Sequence, residues 1–599
     1  MPEKSPISTI KRFFNKLPRP ERSRYSPSSL HEGADTPELG SMCSLSRIHP
    51  QTKNTRSSAS EYGVENSLEK HGAKILIFCL FSVSIVTFVH FYQTGLGLTY
   101  NDARSHLDIG RRVVEGLTPG LAQLGSVWLP LPHLLLILTV WNDFMWHSGL
   151  AGALISMISY VFSGLFIWLI LKRLAVSPLP RLIGVAIFAA NANILYLQST
   201  AMTELLLLLT LTGAIYEIIA WSQNRNDYSI VKGAFWVMLA TLIRYEGWFL
   251  FIVAAVLIWL YTAREKGKKA AEGMLILFTT LSGFGIFLWF FWNKLIFGDF
   301  FYFIFGPYSA HAQQEQLQIA GDLLTKGNFL FSAKIYYFAV YYCIGLITVV
   351  AAILGATLIS LDKKLSLKIR MAALVLLISP VVFNVLALYL GHSVVFIEGL
   401  SGKSWFNVRY GVMALPAAAV FSAYLIDKSK QMKYVLTAVF VAVIGYSVLT
   451  LDSAVTIADA KYGSSGRDVS QVAGWLKNDI KDDHQSRVLI AAASHDALIF
   501  SSGLPMKQII HEGTGPFWES ATQTPDKWAK YIVMRTYDTN DSAWNSLKDN
   551  KYALEKYEIA YKGIFADIYK LRPEYESHLA NDFSPTAFDF SEEKITRKK

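Results

Sequence analysis

The feature that most constrains this chain is a series of apolar segments, each long enough to cross a bilayer, that recur from residue 73. We predict eleven spans, near 73–92, 150–171, 181–198, 204–222, 230–243, 247–262, 273–293, 335–360, 371–391, 410–426 and 434–452. Only 17% of the residues are charged, against about one quarter in water-soluble domains. Because a backbone in lipid must satisfy its own hydrogen bonds, the sequence predicts a polytopic α-helical membrane protein.

The apolar segment 128–147, "VWLPLPHLLLILTVWNDFMW", decides how the crossings are counted. If it lies along the outer face or re-enters, five short basic loops fall inside, as the positive-inside rule requires. These loops hold Lys172, Arg173 and Arg181; Arg225 and Lys232; Arg264, Lys266, Lys268 and Lys269; Lys363, Lys364, Lys368 and Arg370; and Lys428, Lys430 and Lys433. Counting it as a span would put all five outside. We therefore expect a cytoplasmic N-terminus and an extracytoplasmic C-terminus, in the cell (inner) membrane.

Three regions follow from this pattern. Residues 1–72 are rich in Ser, Pro and charge, which predicts a disordered basic cytoplasmic tail, with "ISTIKRFFNKL" as a candidate surface helix. Residues 73–454 form the membrane region, with outer loops at 93–149 and 294–334. Residues 455–599 should form a soluble extracytoplasmic α/β or α+β domain, because "VSQVAGWLKNDI" has a helical pattern and "RVLIAAA", "MKQIIHEG", "KYIVMRT" and "YEIAYKGIFADIYKL" read as strands.

The net charge of +10 is compatible with nucleic-acid binding, but its place on short loops fits membrane orientation better. We therefore expect a membrane and no nucleic acid as partner. No Walker loop, HExxH or dinucleotide fingerprint occurs in the sequence, so soluble nucleotide chemistry has no support. We predict no metal site, although a divalent metal requirement stays open.

The first outer loop begins "TYNDARSHLDIGRR", directly after the first span. A carboxylate at this position can face both the membrane and water, and it can act as a general base toward a hydroxyl group. We choose Asp102, with Asp108 as a further candidate. Asp102 and His106 are spaced i, i+4, so they share one face of a helix. The alternative is that Asp102 only caps that helix.

Three further polar clusters fall on the same side of the membrane under this topology. They are Glu204 in "STAMTELLLL"; Arg244, Tyr245 and Glu246 in "LIRYEGW"; and Asn407, Arg409 and Tyr410 in "WFNVRYGVMALP". Ionisable groups at membrane depth are costly and are usually functional or paired. Each cluster alone fits an anchor or an ion pair, such as Arg244 with Glu246. Their convergence on one face favours a site.

Arg409 and Arg244 are the candidates for binding an anionic lipid phosphate, with Tyr410 beside them. Arg presents a planar fork of donors to phosphate oxygens. A guanidinium already in place also stabilises the negative charge that develops on a departing phosphate. Glu204, Tyr245, Glu246, His106, Asp108 and Asn407 are expected to support the site or the substrate.

The motifs "WLPLPHLLLIL", "MTE", "RYEGW", "FGDFFYF" and "NVRYGVMALP" resemble those of the GT-C glycosyltransferases, in particular the protein O-mannosyltransferase and lipid A aminoarabinose transferase group. The resemblance covers residues 73–450 and implies a polyprenyl-phosphate-linked sugar donor, with Asp102 as catalytic base. The sequence leaves the acceptor open among a lipid, a glycan and a protein. Asp102 is followed by Ala103 rather than by the second acid of the O-mannosyltransferases, which puts a protein Ser/Thr acceptor in doubt.

Two other functions compete with this prediction. A transporter or flippase of a lipid-linked saccharide would place its polar groups near the bilayer midplane, often at broken helices. A non-catalytic adaptor would bind a partner through the C-terminal region. The polar clusters lie at the outer ends of the spans, which favours an enzyme at the outer interface.

Overall fold

The computed structural model describes residues 55–306, 309–462, 469–481 and 483–580, with side chains from Glu69 onward. The segment "ISTIKRFFNKL" lies outside the described residues. The residues from Glu61 onward belong to one compact unit. The first described helix begins at Thr55 and ends at Gln93, so residues 55–72, which we expected to belong to the tail, are helical.

Eight helices of the described chain are long and apolar enough to cross a membrane. They are Glu69–Gln93 (the end of the first helix), Leu150–Arg173, Glu204–Asn224, Glu246–Lys266, Lys268–Phe297, Leu367–Leu390, Val408–Lys428 and Met432–Leu449. A ninth span is a pair of helices, Phe329–Ile344 and Leu346–Leu361, that are bent by 109° at Gly345. The fold is that of a multi-pass helical membrane protein.

Two of the eleven predicted spans are shorter than expected. The segment 181–198 forms the helices Pro178–Ala189 and Ala192–Leu197, because the Asn191 side chain accepts hydrogen bonds from the amides of Asn193 and Ile194 and starts a new helix. The segment 230–243 is the 15-residue helix Asp227–Thr241. Both are below the length of a typical span.

Contacts between side chains nevertheless define two ends of the helical bundle. One end, the basic end, joins Glu69 to Lys172 and Arg181, Arg173 to Gln223, Glu265 to Arg225 and Lys368, Asp362 to Tyr424, and Asp427 to Ser177. The other end, the site end, joins His90 to Asp452, Tyr100 to Asp459, Tyr196 to Leu96, Arg409 to Asp102 and Glu204, Arg244 to Glu246, and Cys343 to Val408.

The two short segments also run between these ends. Ser177 contacts Asp427 at the basic end, whereas Asn193 binds Thr456 near the site end. Arg225 lies at the basic end and Arg244 at the site end, so the helix between them runs the length of the bundle. With Leu346–Leu361 as the crossing part of the bent pair, the described residues run eleven times between the two ends: eight long helices, this helix and the two shorter segments.

The segment 128–147 forms two short helices, Leu131–Leu136 and Asp143–His147, and no span. Pro130 and Pro132 stand at the start of the first helix, where the missing amide hydrogen costs least. The Asn142 side chain accepts from the Met145 amide and starts the second. The first outer loop also contains the helix Asn101–Val114, which carries Asp102.

The region after the last span contains a five-stranded sheet in the order β2-β1-β3-β5-β4. Its strands are β1 (Val488–Ile490), β2 (Ile509–Ile510), β3 (Tyr531–Met534), β4 (Tyr557–Lys562) and β5 (Asp567–Leu571). β1 pairs in parallel with β2 and β3, whereas β5 is antiparallel to β3 and β4. The remaining described α-helices are Tyr302–Phe305, Ala310–Ile319, Val455–Tyr462, Val469–Ile480, Ala492–Ser502, Pro516–Gln523, Ser542–Leu547 and Lys551–Leu554.

The helix Ala492–Ser502 packs against Asn101–Val114, so the C-terminal region reaches the loop that carries Asp102. Arg112 donates to Asp496 at 3.2 Å across this contact. The Gln123 amide donates to the Gly513 carbonyl at 2.7 Å. The first outer loop is therefore held between the helical bundle and the sheet region.

We propose that the basic end faces the cytoplasm, since Lys and Arg accumulate on cytoplasmic loops. A reporter fused after residue 455 should then be extracytoplasmic, whereas reporters inserted within 263–270 or 428–433 should be cytoplasmic. Alkaline phosphatase and fluorescent-protein fusions measure this directly. A cytoplasmic reporter after residue 455 would contradict the orientation.

Candidate functional site

Asp102 lies in the first turn of the helix Asn101–Val114 but does not cap it, since the N-cap residue is Tyr100. Its carboxylate instead accepts a hydrogen bond from Nη2 of Arg409 at 2.5 Å. The Asp102 side chain is 38% exposed, whereas that of Arg409 is 5% exposed. Asp102 therefore does not cap the helix. It is the more exposed member of an ion pair with Arg409.

Arg409 is held by carboxylates from three parts of the chain. It follows Asn407, whose left-handed backbone (φ 56°) turns the chain into the short 3-10 helix Val408–Ala414. Its Nε donates to Glu204 at 3.0 Å, and its Nη1 lies 3.8 Å from Asp459. Because a buried guanidinium without partners is very costly, these acids are what allow it to stay charged.

Arg244 lies beside Arg409 and shares Glu204 with it. Its Nη1 is 3.4 Å from Oε1 of Glu204, and its Nη2 donates to Glu246 at 3.2 Å. Glu204 is fully buried. A single buried carboxylate therefore bridges the two guanidinium groups and fixes their separation.

Two tyrosines pack against the arginines. The guanidinium of Arg409 lies 4.9 Å from the ring centre of Tyr100 and 5.3 Å from that of Tyr410. Arg244 lies 4.8 Å from the Tyr410 ring. Cation–π contacts of this kind stabilise a desolvated guanidinium, and Tyr100 also donates to Asp459 at 3.0 Å.

The cluster contains more acids than bases. Four carboxylates (Asp102, Glu204, Glu246 and Asp459) surround two guanidinium groups, and burial raises the pKa of Asp459 above its usual value. An anionic ligand that binds Arg409 or Arg244 must therefore compete with a carboxylate already bound there. Of the four acids, Asp102 is the one with a substantially exposed side chain and can be displaced most easily.

A cavity opens beside this cluster. It is lined by Asp102, His106, Trp128, Leu129, Pro132, His133, Met202, Thr203, Ile243, Arg244, Arg409 and Tyr410. The i, i+4 spacing of Asp102 and His106 does place both on its wall. Burial, with a further contribution from Arg244 and Arg409, lowers the pKa of His106 to about 3, so its ring is neutral at neutral pH.

The other predicted site residues lie outside the cavity lining. Glu204 and Glu246 stand behind the arginines. Asp108 is fully buried and accepts from the Trp146 indole at 3.0 Å. Tyr245 packs among Trp248 and Phe303, and the Asn407 amide donates to the Val394 carbonyl at 3.0 Å.

Tyr100, Trp128, His133 and Asp459 are among the residues at the site that were not predicted from the sequence as site residues. Tyr100 could have been found, because it stands two residues before Asp102. Trp128 and His133 lie within the proline-containing segment that resembles the GT-C motif. Asp459 lies in "VTIADAKY", which carries no local signal, and reaches the site only through the fold.

Within the described ranges, no group of three or more His, Cys, Asp or Glu residues is placed to hold a metal ion. The acids of the cluster instead take guanidinium groups as partners.

Comparison with known proteins gives likeness in structure alone. No protein-family model and no curated protein sequence matches the chain. Among solved structures it is similar to ArnT from Cupriavidus metallidurans bound to undecaprenyl phosphate (TM-score 0.49, 11% identity, 82% of this chain and 98% of that chain). It is also similar to the oligosaccharyltransferase AglB from Archaeoglobus fulgidus in complex with an inhibitory peptide and a dolichol-phosphate (TM-score 0.46, 11% identity, 78% and 69%).

Both proteins are members of the GT-C superfamily, the one that the sequence motifs resemble. At these TM-scores and this identity, neither site residues nor activity are transferred from them to this chain.

The buried acids predict how the site responds when Arg409 is removed. Arg409→Met should lower the free energy of unfolding by about 3–5 kcal/mol, because it leaves Glu204 and Asp459 buried without this cation. Adding Asp459→Asn should recover part of that loss, since a neutral amide needs no cation and still accepts from Tyr100. Thermal unfolding of the detergent-purified variants measures this coupling. Strictly additive effects would show that Asp459 does not depend on Arg409.

Proposed function

We propose that this protein is a glycosyltransferase of the GT-C type. It moves a sugar from a polyprenyl-phosphate donor to an acceptor hydroxyl on a lipid, a glycan or a protein at the extracytoplasmic face. The observation that carries the proposal is the Asp102–Arg409 pair. It joins an accessible carboxylate to a buried guanidinium, in a cavity at the end of the bundle away from the basic loops.

Among the acids considered, Asp102 is the best candidate for the general base. A base must reach the hydroxyl of the acceptor, so it has to face a cavity. Asp102 lines the cavity and is partly exposed. Glu204 is fully buried behind the arginines, and Asp108 is buried against Trp146, so neither can reach a substrate in this arrangement.

Arg244 and Arg409 are the candidates for binding the donor phosphate. Both line the same cavity as Asp102, so a phosphate between them would lie next to the base. The bridging carboxylate of Glu204 and the two tyrosine rings hold both guanidinium groups in place before the donor binds. Groups that are already oriented stabilise developing charge without reorganisation.

The ion pair offers a way to couple the two halves of the reaction. The acceptor oxygen forms a bond to the anomeric carbon as its proton passes to Asp102. The bond from that carbon to the phosphate oxygen breaks, and the electron pair stays on the phosphate. The proton removes the negative charge of Asp102 while the departing phosphate gains negative charge. Arg409 can therefore exchange the Asp102 side chain for the phosphate as its partner.

Transport of a lipid-linked saccharide is the alternative function. A helix that is broken at the centre of the bundle would support the transport function. The bent pair Phe329–Ile344 and Leu346–Leu361 instead has its bend near the site end, where Cys343 contacts Val408 and the Asn193 amide. Asn193 in turn binds Thr456, which follows the last span. This position of the bend favours the enzyme.

Asp102→Asn should reduce turnover by about 10²–10⁴-fold, the range for loss of an acid–base group. The amide has the same size and can still accept from Arg409, so folding should be retained. Turnover is measured with the purified protein and a polyprenyl-phosphate-linked sugar. The matched control is Asp143→Asn, since Asp143 lies on the same loop, is 75% exposed and pairs with Arg111. Wild-type turnover in Asp102→Asn would exclude Asp102 as the base.

Arg244→Gln should weaken binding of polyprenyl phosphate by roughly tenfold to a hundredfold, because a hydrogen bond to a charged group contributes about 1.5–3 kcal/mol. Arg244→Lys should recover only part of the affinity, because it lacks the planar fork. Equilibrium binding to the protein in nanodiscs measures both. Arg104→Gln is the control, because the Arg104 Nε donates to the Leu98 carbonyl and Arg104 does not line the cavity. Equal affinity in Arg244→Gln and the control would remove Arg244 from the phosphate site.

A further inference from the structure

One part of the cavity wall takes no part in the chemistry described so far. It consists of Trp128, His106 and His133, and we call it the imidazole wall. The His106 and Trp128 ring centres are 4.5 Å apart, and Nδ1 of His106 lies 2.8 Å from Nε2 of His133. Both histidines are buried, at 4% and 0% exposure, and all three residues line the cavity.

The imidazole wall carries no charge at neutral pH. Burial lowers the pKa of both histidines, and the guanidinium groups of Arg244 and Arg409 lower that of His106 further. Within the 2.8 Å contact, one neutral ring therefore donates and the other accepts.

The contact with His133 uses Nδ1 of His106 and leaves its Nε2 for a ligand in the cavity. When Nδ1 of His106 donates to His133, its Nε2 is an acceptor, and when Nδ1 accepts, its Nε2 carries the proton and donates. A hydroxyl group both donates and accepts, so it can pair with Nε2 of His106 in either case.

We propose that the imidazole wall binds an uncharged, hydroxyl-bearing sugar ring, with Nε2 of His106 hydrogen-bonded to a sugar hydroxyl and the indole of Trp128 packing on the face of the ring. This inference rests on the proposed glycosyl transfer and adds the class of its sugar. A polar ring nitrogen next to an aromatic face matches a hydroxyl beside a C–H face.

The lack of charge on the imidazole wall supports an uncharged sugar. Both of its histidines are buried and neutral, so a carboxylate or ammonium of a sugar packed against the wall would lose its hydration without gaining a counter-ion there. An uncharged ring avoids this cost. The ring can belong to the donor or to a saccharide acceptor, since both present the same chemistry.

The experiment uses the full-length protein in nanodiscs and four probes. They are undecaprenyl phosphate alone and the same lipid phosphate linked to glucose, to an amino sugar and to a uronic acid. Wild-type protein should bind the glucose-linked lipid more tightly than the two lipids with charged sugars. His106→Phe should lose roughly three- to tenfold in affinity for the glucose-linked lipid, the effect of one neutral hydrogen bond, and bind the sugar-free lipid unchanged. Trp128→Leu, a second variant on the same wall, should show the same difference.

His311→Phe is the matched control, because His311 contacts Phe305 and does not line the cavity. If His106→Phe instead leaves donor binding unchanged and raises the KM of a glucoside acceptor, the ring on the imidazole wall belongs to the acceptor, and the proposal stands. It is overturned if neither quantity changes in folded His106→Phe and Trp128→Leu, or if the wild type prefers a charged sugar. Failure of the wild type to bind undecaprenyl phosphate at all would overturn the proposed function as well.

Discussion

The interaction on which the site depends is the buried guanidinium of Arg409, held by Asp102, Glu204 and Asp459. These acids come from the first outer loop, the start of a membrane helix and the segment after the last span. A buried charge is tolerated only if its partners are in place. Assembly of the site therefore requires that the bundle, the first outer loop and the segment containing Asp459 come together. The same requirement orients Asp102 toward the cavity.

Local patterns in the sequence were sufficient to predict the helical bundle, but they were not sufficient to predict the site. Apolar length predicted the spans, and the basic loops predicted an odd number of crossings, because both signals lie within single segments. The bend at Gly345 and the break at Asn191 depend on a turn and a side-chain cap, which hydropathy does not report. The helix Thr55–Gln93 starts earlier than expected, because composition does not predict where a polar tail becomes helical before a span.

The candidate site shows the same division. Asp102, Arg244, Arg409 and His106 were predicted from charge at the ends of spans, and the structure brings them to one cavity. Asp459 is 359 residues from Tyr100 and 50 from Arg409, so only the fold reveals these contacts. Asp108 and Asn407 were also predicted as site residues because they are polar. In the structure, Asp108 instead accepts a hydrogen bond from Trp146, and Asn407 donates one to a backbone carbonyl. Which polar residue faces a cavity is a property of packing, which a single sequence does not encode locally.

The most direct test of glycosyl transfer is whether the protein breaks the bond between the sugar and the phosphate of its donor. ³¹P NMR follows this, because an undecaprenyl phosphodiester becomes a phosphomonoester when the sugar leaves. We predict that purified protein converts a donor with an uncharged sugar when native membrane lipids supply the acceptor. Movement of the intact phosphodiester across the bilayer, with no phosphomonoester formed from any donor, would contradict it and favour transport.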